Sequence, residues 1–166
     1  MPIDQKPNTH KPSISLPYPS GLSRLLMRFP IWLYRFKLGW LLGKRFLLLE
    51  HRGRNSGMIR QAVIEVVDQD PQKGSYVVAA AWGRQSDWYK NIEAEPQVKI
   101  RVGRQRFPAF ATTLSADDAA QHLSTYATKH PIAFRHLGSL LMGSRSHDTM
   151  QIMESFIEAI PFVEFV

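Results

Sequence analysis

The chain of 166 residues contains no cysteine, which removes disulfides, thiolate zinc sites, iron–sulfur clusters and cysteine nucleophiles together. Nothing in it asks for an oxidising compartment, and the first residues show no signal-peptide pattern. Long uncharged runs are also missing. Segment 21–43 (GLSRLLMRFPIWLYRFKLGWLLG) is strongly apolar but is broken by Arg24, Arg28, Arg35 and Lys37, so it falls short of the ~20 residues a spanning helix needs. No Gly-Lys-Ser/Thr follows a glycine, which excludes a P-loop. Gly53-Arg54-Asn55-Ser56-Gly57 puts Ser56 one place too late for the elbow of a serine hydrolase. The six histidines, at 10, 51, 122, 130, 136 and 147, form no i, i+4 pair around an acid, and no metal is expected.

Acids are scarce where bases are dense. Residues 1–60 hold 11 of the 21 Lys and Arg but only Asp4 and Glu50, so that part carries about +9 and the remainder about −2. An asymmetry of this kind points to an anionic partner near the first third: a membrane surface, a nucleic acid or a polyanionic cofactor. The aromatics are not interleaved with the bases in an RNA-binding pattern, so nucleic acid is not expected as a partner.

Residues 1–20 hold five of the eleven prolines and no periodicity, and read as a flexible arm. Residues 21–43 read as an amphipathic helical segment with Pro30 as kink or restart. Its basic stripe of Arg24, Arg28 and Arg35 suits a membrane interface; its apolar side equally suits packing on the domain or on a second subunit. Residues 44–166 carry the globular pattern. Strands are expected at Phe46–His51, Gln61–Val67, Ser75–Trp82, Val98–Val102 and Gln105–Leu114, with a hairpin loop at Asp68–Gly74. A short helix opens at Ser86 as its cap and ends before Pro96. Ser115 and Asp118 form a capping box, Asp118 reaching back to the Ser115 amide, for a helix to about Lys129. Helices at 132–142 and 149–160 and a closing strand at 161–166 complete an α+β, mainly β chain. Several antiparallel strands around one helix predict a small barrel rather than a parallel α/β sheet.

The stretch Leu47–Arg60 holds the chemistry. An apolar strand runs into a turn bracketed by Gly53 and Gly57, whose left-handed angles would open backbone amides to a ligand, with Arg52, Arg54 and Arg60 around them. That suits a phosphate or carboxylate; an ordinary hairpin turn with solvated arginines is the plainer alternative. Small residues at Ala79, Ala80 and Ala81 leave room beside the sheet for a flat ligand. Trp82, Trp88 and Tyr89 offer stacking surface, or simply fill the core. With no nucleophile, acid pair or metal in view, a bound redox cofactor that performs hydride transfer itself fits the gap.

Four motifs in order then become familiar: Gly53-Arg54-Asn55-Ser56-Gly57 with Arg60, Val77-Val78-Ala79-Ala80, Trp88-Tyr89-Lys90-Asn91-Ile92, and Pro96 to Gly103. Together they resemble the deazaflavin-dependent nitroreductase family over roughly residues 40–130. The resemblance implies a split β-barrel of about six mostly antiparallel strands, related to the barrels that bind flavin mononucleotide, FMN. It implies the deazaflavin coenzyme F420 (8-hydroxy-5-deazaflavin), with FMN as runner-up. Carried over by position, Gly53, Arg54, Asn55, Ser56, Gly57 and Arg60 would face its phosphate region, followed by Gln61 and Ala62. Val78, Ala79, Ala80, Ala81 and Trp82 would line the ring, and Asp87, Trp88, Tyr89 and Asn91 the helix beside it. Hydride would pass to a nitro, quinone or enone acceptor, with the proton from solvent or a nearby hydroxyl or imidazole. The chain departs from the family pattern at Asn55, where a cation is usual, and at Ala80, where serine is usual. It departs again after the capped helix, where His130, Ala133 and His136 replace tyrosines; His130 and His136 are candidates for the acceptor pocket or proton delivery. The implied setting is cytoplasmic, with 21–43 able to touch the inner membrane face, and a homodimer by analogy. The competing reading is a non-enzymatic split barrel that binds a hydrophobic ligand or a membrane surface.

Overall fold

The computed structural model describes residues 44–135 and 149–166. The expected arm at 1–20, the amphipathic segment at 21–43, most of the 132–142 helix and His136 lie outside the described residues. The elements are β1 (Phe46–Arg52), β2 (Ile59–Asp70), β3 (Ser75–Ala79), a 3-10 turn at Gly83–Gln85 and α1 (Asp87–Ala94). After these come β4 (Gln97–Val102), β5 (Gln105–Thr113), α2 (Ala116–Lys129), α3 (Thr149–Ala159) and β6 (Phe162–Phe165). All six strands pair antiparallel and close into a barrel in the order β1-β2-β3-β6-β5-β4.

Period-2 alternation fills that barrel. Leu47 and Leu49 of β1, Ile64 of β2, Val78 of β3, Ile100 and Val102 of β4, Ala109 and Ala111 of β5 and Phe165 of β6 form one inner cluster. Each large side chain withdrawn there stabilises the fold by roughly 1.5–3 kcal/mol. The last strand is indispensable, since β6 bonds β3 on one side and β5 on the other and so closes the ring.

A second apolar layer lies outside β2, β3 and β6. Val77 and Phe162 meet Leu123 and Tyr126 of α2 and Ile152 and Phe156 of α3, with Phe156 and Phe162 edge to face at 5.8 Å. Polar tethers pin α2: the Asp68 carboxylate takes hydrogen bonds from His122 at 2.9 Å and Lys129 at 3.0 Å. Burial works to raise the Asp68 pKa, but those hydrogen bonds outweigh it and hold the carboxyl below its ordinary value.

Five local expectations are corrected. β2 runs to Asp70, because a bulge between Val66 and Asp68 lets the polar residues 68–70 keep pairing with β3. The loop shrinks to 71–74, with Asp70 Oδ1 accepting from the Gln72 and Lys73 amides and Gly74 at φ +69°. β3 stops at Ala79, since the Ala80 amide bonds Pro161 and the Gly83 amide turns back to Ala80. Ser86 stands at the cap position of α1 but its hydroxyl bonds nothing, and Asp118 receives the Ser115 hydroxyl at 2.6 Å rather than reaching the Ser115 amide.

Candidate functional site

β1 and β2 are joined by the turn 53–58, at the mouth of the barrel. The Gly53 carbonyl accepts from both Ser56 (3.2 Å) and Gly57 (2.7 Å), and the Gly53 amide donates to Met58 (2.8 Å). Only Gly57 is left-handed, at φ +64°. Gly53 serves close approach instead, because a Cβ there would lie 2.8 Å from Ser56 Oγ and 3.4 Å from the Met58 carbonyl. The expectation of two left-handed glycines that open backbone amides to a ligand is thereby corrected: the amides of Gly53, Arg54, Ser56, Gly57 and Met58 all bond within the protein.

The three arginines do different things. Arg52 pairs with Glu95 at 3.3 Å and donates to the Gly57 carbonyl. Arg54 reaches α1: its guanidinium meets Asp87 Oδ1 at 3.3 Å and Asn91 Oδ1 at 2.9 Å, and its amide also donates to Asn91 Oδ1 at 3.1 Å. Arg54 is therefore a strut between turn and helix as well as a charge. Arg60 enters no ion pair among the described residues and is exposed, which leaves it as the uncompensated cation of the turn, flanked by exposed Met58 and Ile59.

Behind the turn lies His51, buried and absent from the sequence-derived candidates. It stands opposite Arg60 in the β1–β2 register and its Nδ1 is 3.1 Å from Asn91 Nδ2. Burial lowers its pKa to about 4; the Arg52 backbone hydrogen bond and the Asp87 charge act to raise it, and Arg60 adds to the fall. His51 is thus neutral at neutral pH. The signal for it was available, since the alternation of Leu47 and Leu49 puts residue 51 on the inner face.

Other candidates are placed as follows. Asn55 and Ser56 are exposed on the turn, and Gln61 is turned to the outer face, where it donates to Glu50 at 2.9 Å. Ala62, Val78, Ala80 and Trp88 belong to the inner cluster with Tyr89, whereas Ala79 packs outward under the helices. Ala81 and Trp82 are half-buried. Tyr89 has no exposed surface; its hydroxyl is 3.2 Å from Thr113 Oγ1 and its ring meets Trp88 edge to face. Of the two rings, only Trp88 keeps surface for a ligand. His130 caps α2 at the other end of the barrel, beside Lys44, Arg45 and Asp68 in a cavity of about 440 Å³, a strand length of roughly 20 Å from the turn. The structure gathers the turn, His51, Arg60, Asp87 and Asn91, and does not bring His130 to them.

A closed barrel of six antiparallel strands defines the split β-barrel class. The family profile described as F420H(2)-dependent quinone reductase matches residues 27–136, and the chain belongs to that family. A protein of Mycobacterium tuberculosis, carried under the name of a candidate F420H(2)-dependent quinone reductase, is 35% identical over 77 residues. That match covers 45% of this chain and 63% of the relative, so the chain spans less than two thirds of its length. Among solved structures, an F420-H2 dependent reductase, FDR-A, superposes with a TM-score of 0.52 at 18% identity, covering 75% of this chain and 96% of the other. A second structure, described as a domain-swapped dimer, gives 0.52 at 17% identity over 82% of this chain and 99% of its own. Both share the fold.

The residues fit a coenzyme with an anionic tail. Arg60 is a free cation beside a turn that presents the Ser56 and Asn55 side chains to solvent, and the half-buried Ala62 lies next along β2 on the barrel's inner side.

Proposed function

We propose that this chain is an oxidoreductase that uses the reduced deazaflavin coenzyme to pass hydride to an acceptor, a quinone first and nitro or enone compounds in the same electron-poor class. The observation that carries the reading is Arg60, an exposed cation at the start of β2 with no ion-pair partner among the described residues, beside the turn at the barrel mouth, within a chain of the F420H(2)-dependent quinone reductase family. When bound, the coenzyme supplies the hydride, so the protein's task is binding, orientation and exclusion of water.

Arg60, with the Asn55 and Ser56 side chains, holds the phosphate and acidic tail by charge-assisted hydrogen bonds. Arg54 is already neutralised by Asp87 and acts mainly by fixing the turn against α1. Trp88, half-buried, gives the ring an apolar surface, backed by the wholly buried Val78 and Ala80. The family match favours the deazaflavin over FMN.

The same reading places the protein in the cytoplasm, with segment 21–43 touching the inner membrane face and two copies able to pair. No helix among the described residues is long and apolar enough to cross a membrane. Liposome co-sedimentation of the full chain against one lacking 21–43 checks the membrane contact.

Turnover tests the activity: the purified chain is expected to oxidise the reduced coenzyme on addition of a naphthoquinone. Failure to bind or oxidise it at tens of micromolar coenzyme, within the usual range of KM values, refutes the proposal.

A further inference from the structure

His51 is the last inward-facing residue of β1 and is 4% exposed. Its side-chain partner is Asn91, at 3.1 Å from Nδ1 to Nδ2, and the ring also has a hydrogen bond with the Arg52 backbone. The other end of that amide is committed: Asn91 Oδ1 receives the Arg54 amide at 3.1 Å and Arg54 Nη1 at 2.9 Å. An oxygen facing two N–H donors leaves the NH2 group as the end that meets His51. Nδ1 must then be the lone-pair nitrogen, and the ring proton sits on Nε2. A proton on Nδ1 would set donor against donor and turn the amide round. Its NH2 would then face the two Arg54 donors, and both bonds to the turn would break.

We propose that His51 is a positioning residue: as the Nε2–H tautomer it fixes the Asn91 amide, and through that amide the Arg54 backbone of the turn that holds the coenzyme's anionic end. The functional consequence rests on the coenzyme reading above; the relay itself does not. The charges acting on His51 are Arg60 on β2 and Asp87 on α1, while Arg54 on the turn bonds the far end of the same Asn91 amide. Burial favours the neutral ring, which is the form the relay needs.

Two variants separate this from a general packing role. His51→Asn keeps a carbonyl oxygen close to where Nδ1 stands, whereas His51→Phe fills the space without an acceptor. Hydrogen exchange of the Arg54 amide is measured in the free protein, and fluorescence titration gives the affinity for the oxidised coenzyme. His51→Phe is expected to speed Arg54 exchange and weaken coenzyme binding, each by about tenfold, the loss of one buried hydrogen bond. His51→Asn is expected to keep both near wild type. Wild-type protection of Arg54 in His51→Phe overturns the proposal, and so does equal impairment of the two variants at unchanged melting temperature. If His51→Phe does not fold, the wild-type ring decides by its nitrogen chemical shifts, Nε2–H supporting and Nδ1–H refuting. Should wild type fail to bind coenzyme while Arg54 protection behaves as stated, the coenzyme reading falls and the relay stands.

Discussion

Acid should weaken this protein through His51, and the size follows from its burial. The ring's pKa falls from 6.5 to about 4 in the fold. Above pH 6.5 neither the folded nor the unfolded ring holds a proton, and the stability is full. As the pH drops from 6.5 to 4, the unfolded chain takes up a proton that the fold refuses, and stability falls by up to about 1.4 kcal/mol per pH unit. The loss is about 2 kcal/mol by pH 5 and roughly 3 kcal/mol at the bottom of the window, a large share of the 5–15 kcal/mol typical of a domain. Below about pH 4 this contribution is exhausted. Asp68 acts lower: its depressed pKa gives stability that is present above 3.8 and lost as the pH falls through the folded value. Urea unfolding of wild type and His51→Asn from pH 7.5 to 4 isolates the histidine, because every other titration is shared. The wild-type stability should fall by about 3 kcal/mol more than the variant's over that range. Parallel curves would refute a buried neutral imidazole.

Three further outcomes are expected. Arg60→Gln should weaken coenzyme binding about tenfold to a hundredfold, the worth of a charge-assisted hydrogen bond, by fluorescence titration; unchanged affinity would remove Arg60 from the site. Gly83→Ala should cost about 2–3 kcal/mol in thermal or urea unfolding, because φ is +63° and the new Cβ would lie 2.9 Å from the Ala159 carbonyl. Gly57→Ala, at φ +64° in open space, should cost only about 1 kcal/mol, and the reverse order would contradict the geometry. Tyr89→Phe should lose about 1 kcal/mol of stability with its Thr113 contact; a loss of coenzyme affinity beyond that would show the ring to be more than core.

The barrel was largely legible because inner and outer residues alternate. Val98, Ile100 and Val102, and Phe107, Ala109 and Ala111, mark β4 and β5 from sequence, and the alternating tail marks β6. Boundaries were misread where polar residues gain long-range partners. Asp68 reads as loop until His122 and Lys129, far along the chain, satisfy its carboxylate. The cofactor class came from the motif resemblance, and the family match supports it. The wiring of the turn was not legible. Three nearby arginines look equivalent in sequence, and only tertiary structure pairs Arg54 with Asp87 and Arg52 with Glu95 while leaving Arg60 free. Trp88 and Tyr89 likewise look alike as neighbours, but the helix turns Tyr89 wholly into the core. His51 needed both the strand alternation and the position of Asn91, 40 residues away.

The most direct test of the central claim is where the coenzyme sits. Backbone amide shifts of the full chain, followed while oxidised coenzyme is added, are expected to move at Gly53–Arg60 and along Asp87–Asn91, with Arg60 among the largest changes. Shifts confined to the opposite end, around Lys44, Asp68, Lys129 and His130, or no shifts at all, would contradict a coenzyme held by this turn.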